Sequence, residues 1–411
     1  MPPEDGGTGG ARPDEDVHTE DGTTAPDTKD AAGPGSGTAG QSGSDRRWWV
    51  YRGTGQPGYD TDLSNLLPDP PPWRRFTGGP VVPPPPSDDE EIERRLGRIS
   101  ALSTASDQFR READMVNAAL VLRRPLLVTG RPGTGKSSLA YRISKELRLG
   151  RVLRWHITSR TTLRSGLYEY DAIGRVHDSA ALHTLHRADG AAGGGTAPPD
   201  AGEERLPGIG DYLQLGPLGT ALLPHKLPRV LLVDELDKSD QDLANDLLSV
   251  FEDGQFPIPE LVRARRQHRE VTVRIDDPGR SAQIVDGIVK CRAFPVVVIT
   301  SNREREFPPA FLRRCLRLQM PDPDRPQLVN MVLAHLQQAG AEAPGVAGAD
   351  GLIDRFLRNS RERGGLAIDQ LLNAVYVATS GDFPGDEDAL EDLVDALWHR
   401  LDGAGAESRT G

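Results

Sequence analysis

The sequence predicts an α/β fold: a mostly parallel sheet between helices, followed by a small C-terminal all-helical domain and preceded by a disordered N-terminal tail. Three observations predict it. Short apolar runs at 125–129, 152–158, 229–233 and 295–300 alternate with amphipathic stretches, the pattern of a sheet covered on both faces. A glycine-rich loop, Gly130 to Ser137, joins the first run to a helical segment. From Asp322 onward the apolar runs give way to helical periodicity at 324–340, 350–360, 365–380 and 386–402.

The elements follow in order. Residues 1–45 are Gly-rich and acidic with almost no aliphatic side chains, so they bury too little apolar area to offset their ordering entropy. Residues 46–76 change character, with Trp48, Trp49, Tyr51, Tyr59, Trp73 and Phe76 in a short span. Rings at this density gain much from burial, which favours an arm docked on the following domain over a partner-binding peptide. Pro80 and Pro83 to Pro86 read as an extended polyproline II spacer. A helix starts near Ser87, a plausible N-cap, with Asp88, Asp89, Glu90 and Glu91 complementing the helix dipole. A second runs from about Asp107 to Leu122. A third, 136–149, puts Leu139, Ile143 and Leu147 on one face, with Gly150 as a C-terminal cap. Residues 188–205 read as a loop insertion, and 258–294, with the alternation Val271-Thr-Val-Arg-Ile275, as a β-hairpin insert.

Charge and composition exclude several classes. Net charge is −12, of which residues 1–46 supply −7 from ten acids and three bases. An acidic chain disfavours a dedicated nucleic-acid binder, although Arg263, Arg265, Arg266, His268 and Arg269 form a local basic run in the insert. Two distant cysteines, Cys291 and Cys315, form neither a disulfide framework nor a zinc module and suit a reducing compartment. No apolar run is long enough to span a bilayer, and the N-terminus is not a signal peptide, so a cytoplasmic protein without membrane insertion is expected.

The chemistry lies at the carboxyl ends of the apolar runs. Gly130-Arg131-Pro132-Gly133-Thr134-Gly135-Lys136-Ser137 satisfies G-x-x-x-x-G-K-[ST] between a strand and a helix, which is where a phosphate cradle has to be. Its glycines let successive N–H groups point at phosphate oxygens, and the helix N-terminus, continuing through Ser138, adds its positive end. Lys136 is placed to reach β and γ phosphates, and the Ser137 hydroxyl to ligate Mg²⁺. Arg229-Val-Leu-Leu-Val-Asp234-Glu235 is a buried strand ending in two acids. Asp234 would hold the Mg²⁺ of a Mg–ATP complex through water, and Glu235 would polarise an attacking water. Pro295-Val-Val-Val-Ile-Thr-Ser-Asn302 ends in an amide that, if its strand lies between the other two, contacts the γ-phosphate or orients that water. Pro308-Pro-Ala-Phe-Leu-Arg313-Arg314 sets adjacent arginines between apolar groups, which is the chemistry to neutralise a γ-phosphoryl group from a neighbouring subunit. A guanine-specificity [NT]-K-x-D and an L-S-G-G-Q are both missing, which disfavours a GTPase and a transporter ATPase.

This order of motifs, with the helical region after it, resembles an AAA+ ATPase, and within that group the MoxR-like branch. Three segments carry the finer likeness: the acid-rich helix following Asp234, the turn Gly216-Pro-Leu-Gly219, and Ile157 to Tyr170. The resemblance covers roughly residues 90–402. It implies a ring, usually a hexamer, with ATP between subunits, and Arg314 as the trans-acting finger with Arg313 competing for the role. It also implies an insert facing the pore, where Leu167, Tyr168 and Tyr170 are pore contacts or packed core. Relatives in the branch act as chaperone-like remodellers of protein clients, often beside a protein with a von Willebrand factor A domain. A DNA- or RNA-acting motor is the alternative. One departure is visible: Arg361 to Asp369 carries no arginine where the family's lid places one, and Arg363 lies a turn earlier. The expected division is then a tail at 1–45, an arm at 46–86, an α/β nucleotide-binding domain at 87–321, a helical lid at 322–403 and a frayed end at 404–411.

Overall fold

The computed structural model describes residues 48–57, 63–97, 107–180, 207–338, 346–363, 366–379 and 387–398. The tail at 1–45, the loop at 188–205 and the end at 404–411 lie outside these residues.

Of the described helices, α1 is Asp89–Leu96, α2 Asp107–Leu122, α3 Ser138–Leu147 and α4 Gln241–Asp253. The later ones are α5 Arg325–Gln338, α6 Val346–Arg363, α7 Ile368–Thr379 and α8 Glu387–Leu397. The strands are β1 Leu126–Thr129, β2 Leu153–His156, β3 Tyr168–Tyr170, β4 Leu213–Leu215, β5 Val230–Asp234 and β6 Gln255–Pro257. They continue with β7 Glu270–Arg274, β8 Ser281–Val285, β9 Ile288–Lys290, β10 Val296–Ser301 and β11 Leu316–Gln319.

The central sheet has the order β11-β1-β10-β5-β2, and every pairing in it is parallel. Its middle strands are uninterrupted apolar runs because both faces are covered. Alternate residues go to opposite sides. Leu127, Leu231, Val233, Val297 and Ile299 join one core cluster, while Leu126, Val128, Leu232 and Val298 join another with α3 and the arm. The strand ending at Asn302 thus lies between the loop strand and the acid-pair strand.

Local boundaries differ from the sequence reading in three places. The cap of α1 is Asp88, which makes no side-chain cap bond, rather than Ser87. Helix α3 ends on Arg148 in the left-handed region (φ 53), two residues before Gly150. The insert is larger than a hairpin: β3, β4 and β6 join β7, β8 and β9 in a second sheet, order β3-β4-β7-β8-β9-β6. Strands of three residues separated by long connections carry no periodic signal.

The arm packs in cis. Asn117 on α2 is fully buried, and its Oδ1 accepts from the Val50 and Tyr51 amides at 2.7 and 2.9 Å. Its Nδ2 donates to Tyr51 O at 2.6 Å and Ala113 O at 2.7 Å. Further on, the Arg74 guanidinium donates to Arg123 O and Phe251 O and lies 4.7 Å from the Phe294 ring, on which Phe76 stacks. Trp73, by contrast, stays exposed, and Tyr59 lies outside the described residues.

Helices α5 to α8 hold their own core around Leu328, Phe356, Leu371 and Trp398. This cluster meets the α/β part at the glycine loop. A Cβ on Gly133 would fall 2.7 Å from Ile368 N, the first residue of α7.

Candidate nucleotide site

The loop between β1 and α3 curls because Gly133 and Gly135 take φ of 76° and 80°, which other residues rarely adopt. Lys136 is buried, and its ammonium donates to Gly130 O at 2.9 Å and Arg131 O at 2.7 Å. Burial lowers its pKa, opposed by the carboxylates of Asp237, Asp234 and Glu235. Arg131 pairs with Asp322 at 3.2 Å, and the Thr134 hydroxyl closes the loop on Arg131 O.

Asp234 is the last residue of β5 and is the hub of the site. Its Oδ1 accepts from the Ser137 hydroxyl at 2.7 Å and the Thr300 hydroxyl at 2.9 Å. Its Oδ2 accepts from Arg154 Nη2 at 2.9 Å. Burial by itself raises the Asp234 carboxyl, and the hydrogen bonds from Ser137, Thr300 and Arg154 outweigh it and hold the pKa below the usual carboxylate range. Glu235 follows in the left-handed region (φ 63), its amide donating to Thr300 Oγ1 at 2.8 Å. Lys238, one turn on, holds the Glu235 carboxylate at 2.7 Å, and this bond raises the lysine's pKa. The Asn302 amide N–H donates to buried Asp237 at 2.9 Å, and its side chain lies within 3.4 Å of Glu304 Oε1.

Gly133, Thr134, Gly135, Lys136, Ser137, Ser138, Asp234, Glu235 and Asn302 line one cleft of about 590 Å³, a volume suited to a small-molecule ligand. Pro132 lines it as well, while Gly130 and Arg131 lie behind it as acceptors for Lys136. Leu96 and Phe109 close one side of the cleft; Met331, His335, Ile368 and Leu372 close the lid side. Ser137 and Asp234 offer a hydroxyl and a carboxylate 2.7 Å apart, an oxygen donor set that suits Mg²⁺ carrying waters and phosphates. Among the described residues no group of three or more His, Cys, Asp and Glu side chains could hold a metal unaided, so the phosphates would have to complete such a shell.

Other candidates fall elsewhere. Arg313 and Arg314 end the short helix Pro309–Arg314, are exposed, and do not line this cleft. Arg314 Nε donates to Glu252 at 2.7 Å. Leu167 and Tyr168 prove to be packed core, with the Tyr168 hydroxyl on Glu260, while Tyr170 is half-buried and accepts from Arg175. Leu167 ends the short helix Leu163–Leu167 and Tyr168 opens β3, the edge strand of the second sheet, and both side chains join the larger core cluster. Arg363 closes α6, and its side chain is outside those described; no arginine of the described lid lines the cleft.

Sequence reasoning missed Arg154, Thr300 and Asp237. Thr300 follows a pair in register, Ile299 with Val233, which places it beside Asp234. Arg154 is two residues before His156, which pairs with Asp234. Both depend on strand order, which no local pattern carries.

Residues 125–315 match the family described as AAA domain (dynein-related subfamily). No curated protein matches the chain. Among solved structures, NtrX from Brucella abortus overlaps at 15% identity and a TM-score of 0.37, covering 73% of this chain and 54% of that one. NtrX in complex with ATP gives 16%, 0.35, 72% and 57%. PCH-2 of C. elegans gives 14%, 0.36, 79% and 76%. This chain thus spans about half the length of NtrX.

Proposed function

We propose that this ATPase, an AAA domain at residues 125–315, couples ATP hydrolysis to lid motion and passes that motion to a protein client as a chaperone-like remodeller. The observation that carries the reading is the seating of α7 on the phosphate loop. A nucleotide in the cleft touches the loop on one side and Ile368 and Leu372 on the other, so loss of a phosphate changes what holds the lid. Lys136 exchanges its loop carbonyls for β and γ oxygens, Glu235 leaves Lys238 to orient the water, and Asn302 completes the polar wall. Mg²⁺ bound at Ser137 and Asp234 would supply charge neutralisation of the phosphates.

The ring, a hexamer by the resemblance, the MoxR-like branch, a partner with a von Willebrand factor A domain and a cytoplasmic location belong to the same proposal. The exposed position of Arg314 away from its own cleft supports a role on a neighbour's nucleotide, with Arg313 beside it. Both cysteines are free and buried, which suits a reducing compartment. No described helix is long and apolar enough to cross a membrane.

Glu235→Gln and Lys136→Ala test the reading. Glu235→Gln is expected to bind ATP, to turn over at least a hundredfold more slowly, and to retain partner and client in an ATP pull-down. Lys136→Ala is expected to lose nucleotide binding. Normal turnover in Glu235→Gln removes that residue from the mechanism. A second reading, a nucleic-acid motor, draws on the exposed run Arg263, Arg265, Arg266, His268 and Arg269 before β7. Salt-dependent DNA binding with ATPase stimulation would promote it.

A further inference from the structure

Five cationic residues among those lining the cleft can be compared by what they hold. Arg94 and Arg95 pair with Glu91, Arg142 pairs with Glu112 at 2.8 Å, and Lys136 rests on loop carbonyls. Arg154 alone pairs with Asp234, the carboxylate that shares a hydrogen bond with Ser137. A divalent cation entering with nucleotide at Asp234 would take the partner of Arg154 and leave the partners of the other four cations untouched. Arg154 stands on β2, the edge strand of the central sheet, and its side chain lines the cleft and is 38% exposed, which leaves it room to move. No described lid residue brings a guanidinium to the cleft.

We propose that Arg154 is a cation-displaced arginine: it neutralises Asp234 while the cleft holds no divalent ion, and it turns to the γ-phosphate once Mg²⁺ takes its place. The proposal rests on the reading of this cleft as a Mg–ATP site. Its physical content is charge bookkeeping at one carboxylate. Without metal, an unpaired Asp234 repels the phosphates, and Arg154 cancels that repulsion. With metal, the cation does so, and the guanidinium becomes a donor for the terminal phosphate, where planar bidentate contact is favourable.

The test is fluorescent-nucleotide titration of the full chain with ADP and with slowly hydrolysed ATPγS, each in excess EDTA and in excess Mg²⁺. Arg154→Met should weaken ADP binding in EDTA by about tenfold or more. In Mg²⁺ it should leave ADP within about twofold and weaken ATPγS by about fivefold to tenfold. Arg154→Lys, which keeps the charge, should restore ADP binding in EDTA and recover ATPγS only in part; it also serves if the methionine variant does not fold. Equal losses across all four conditions, or none, would overturn the proposal. Lys136→Ala separates the two levels: if it binds both nucleotides normally, the cleft reading itself falls, whatever Arg154 does.

Discussion

Asn117→Ala gives the sharpest measure of how the arm is held. The buried amide makes four hydrogen bonds, at 2.6 to 2.9 Å, three of them to the backbone of Val50 and Tyr51. Each is worth about 1 kcal/mol net, and alanine also leaves two buried N–H groups and one C=O unpaired. Peeling the arm into water relieves those groups, so the expected loss of docking free energy is that of the four bonds together, about 3–4 kcal/mol. That corresponds to a rise of roughly a hundredfold or more in the open population. Undocking also reaches the cleft, because the Tyr51 hydroxyl donates to Glu112 at 2.9 Å, and Glu112 pairs with Arg142 at the cleft wall. The assay is native-state amide exchange at Val50 and Tyr51, with limited proteolysis of residues 48–57 as a second readout. Exchange within about threefold of the parent would refute the clamp and return the arm to the role of a partner-binding peptide.

Three other perturbations follow. Gly133→Ala puts a Cβ 2.7 Å from Ile368 N at a φ of 76°, so amide exchange at Ile368 to Leu371 should rise while that of β1 stays put; unchanged exchange means the loop does not seat the lid. His225 is buried, and burial first, then the nearby Arg229 charge, push its pKa down to about 4. A folded pKa below the unfolded one gives stability that is complete above about pH 6.5 and lost as pH falls towards 4, up to about 3 kcal/mol. His225→Gln should flatten urea midpoints across that window, and an unaltered slope assigns it to other groups. Asp277→Ala strands Arg229, which is 1% exposed and paired to Asp277 at 2.7 Å, and should cost about 3–5 kcal/mol in urea unfolding. The Arg229→Met, Asp277→Leu double variant should recover most of it; a double variant no better than the single one shows that the buried charge was not the cause.

Part of this architecture was legible because it is local. Val296 to Ser301 is an unbroken buried run, and only a strand covered on both faces makes that pattern worth encoding. Leu139, Ile143 and Leu147 share a helix face by spacing alone, and all three are buried. The glycine loop is legible for a stricter reason: its backbone must reach left-handed φ at Gly133 and Gly135, so the residue type is dictated by the conformation. Leu167 and Tyr168 stay open between pore and core in the sequence because a helix of five residues and a strand of three are too short to show a period.

The sequence by itself determined that a phosphate cradle is followed by an acid pair, a strand ending in an amide and adjacent arginines, because each of these needs particular residue types at short spacing. Tertiary structure alone decided which charges meet. Placing β10 between β1 and β5 sets Thr300 against Asp234, and placing β2 at the far edge delivers Arg154 to the same carboxylate. Sheet order is set by packing summed over whole faces, not by any residue along the chain. The partners of Asp234, eighty and sixty-six residues away, could therefore be found only once the sheet was assembled.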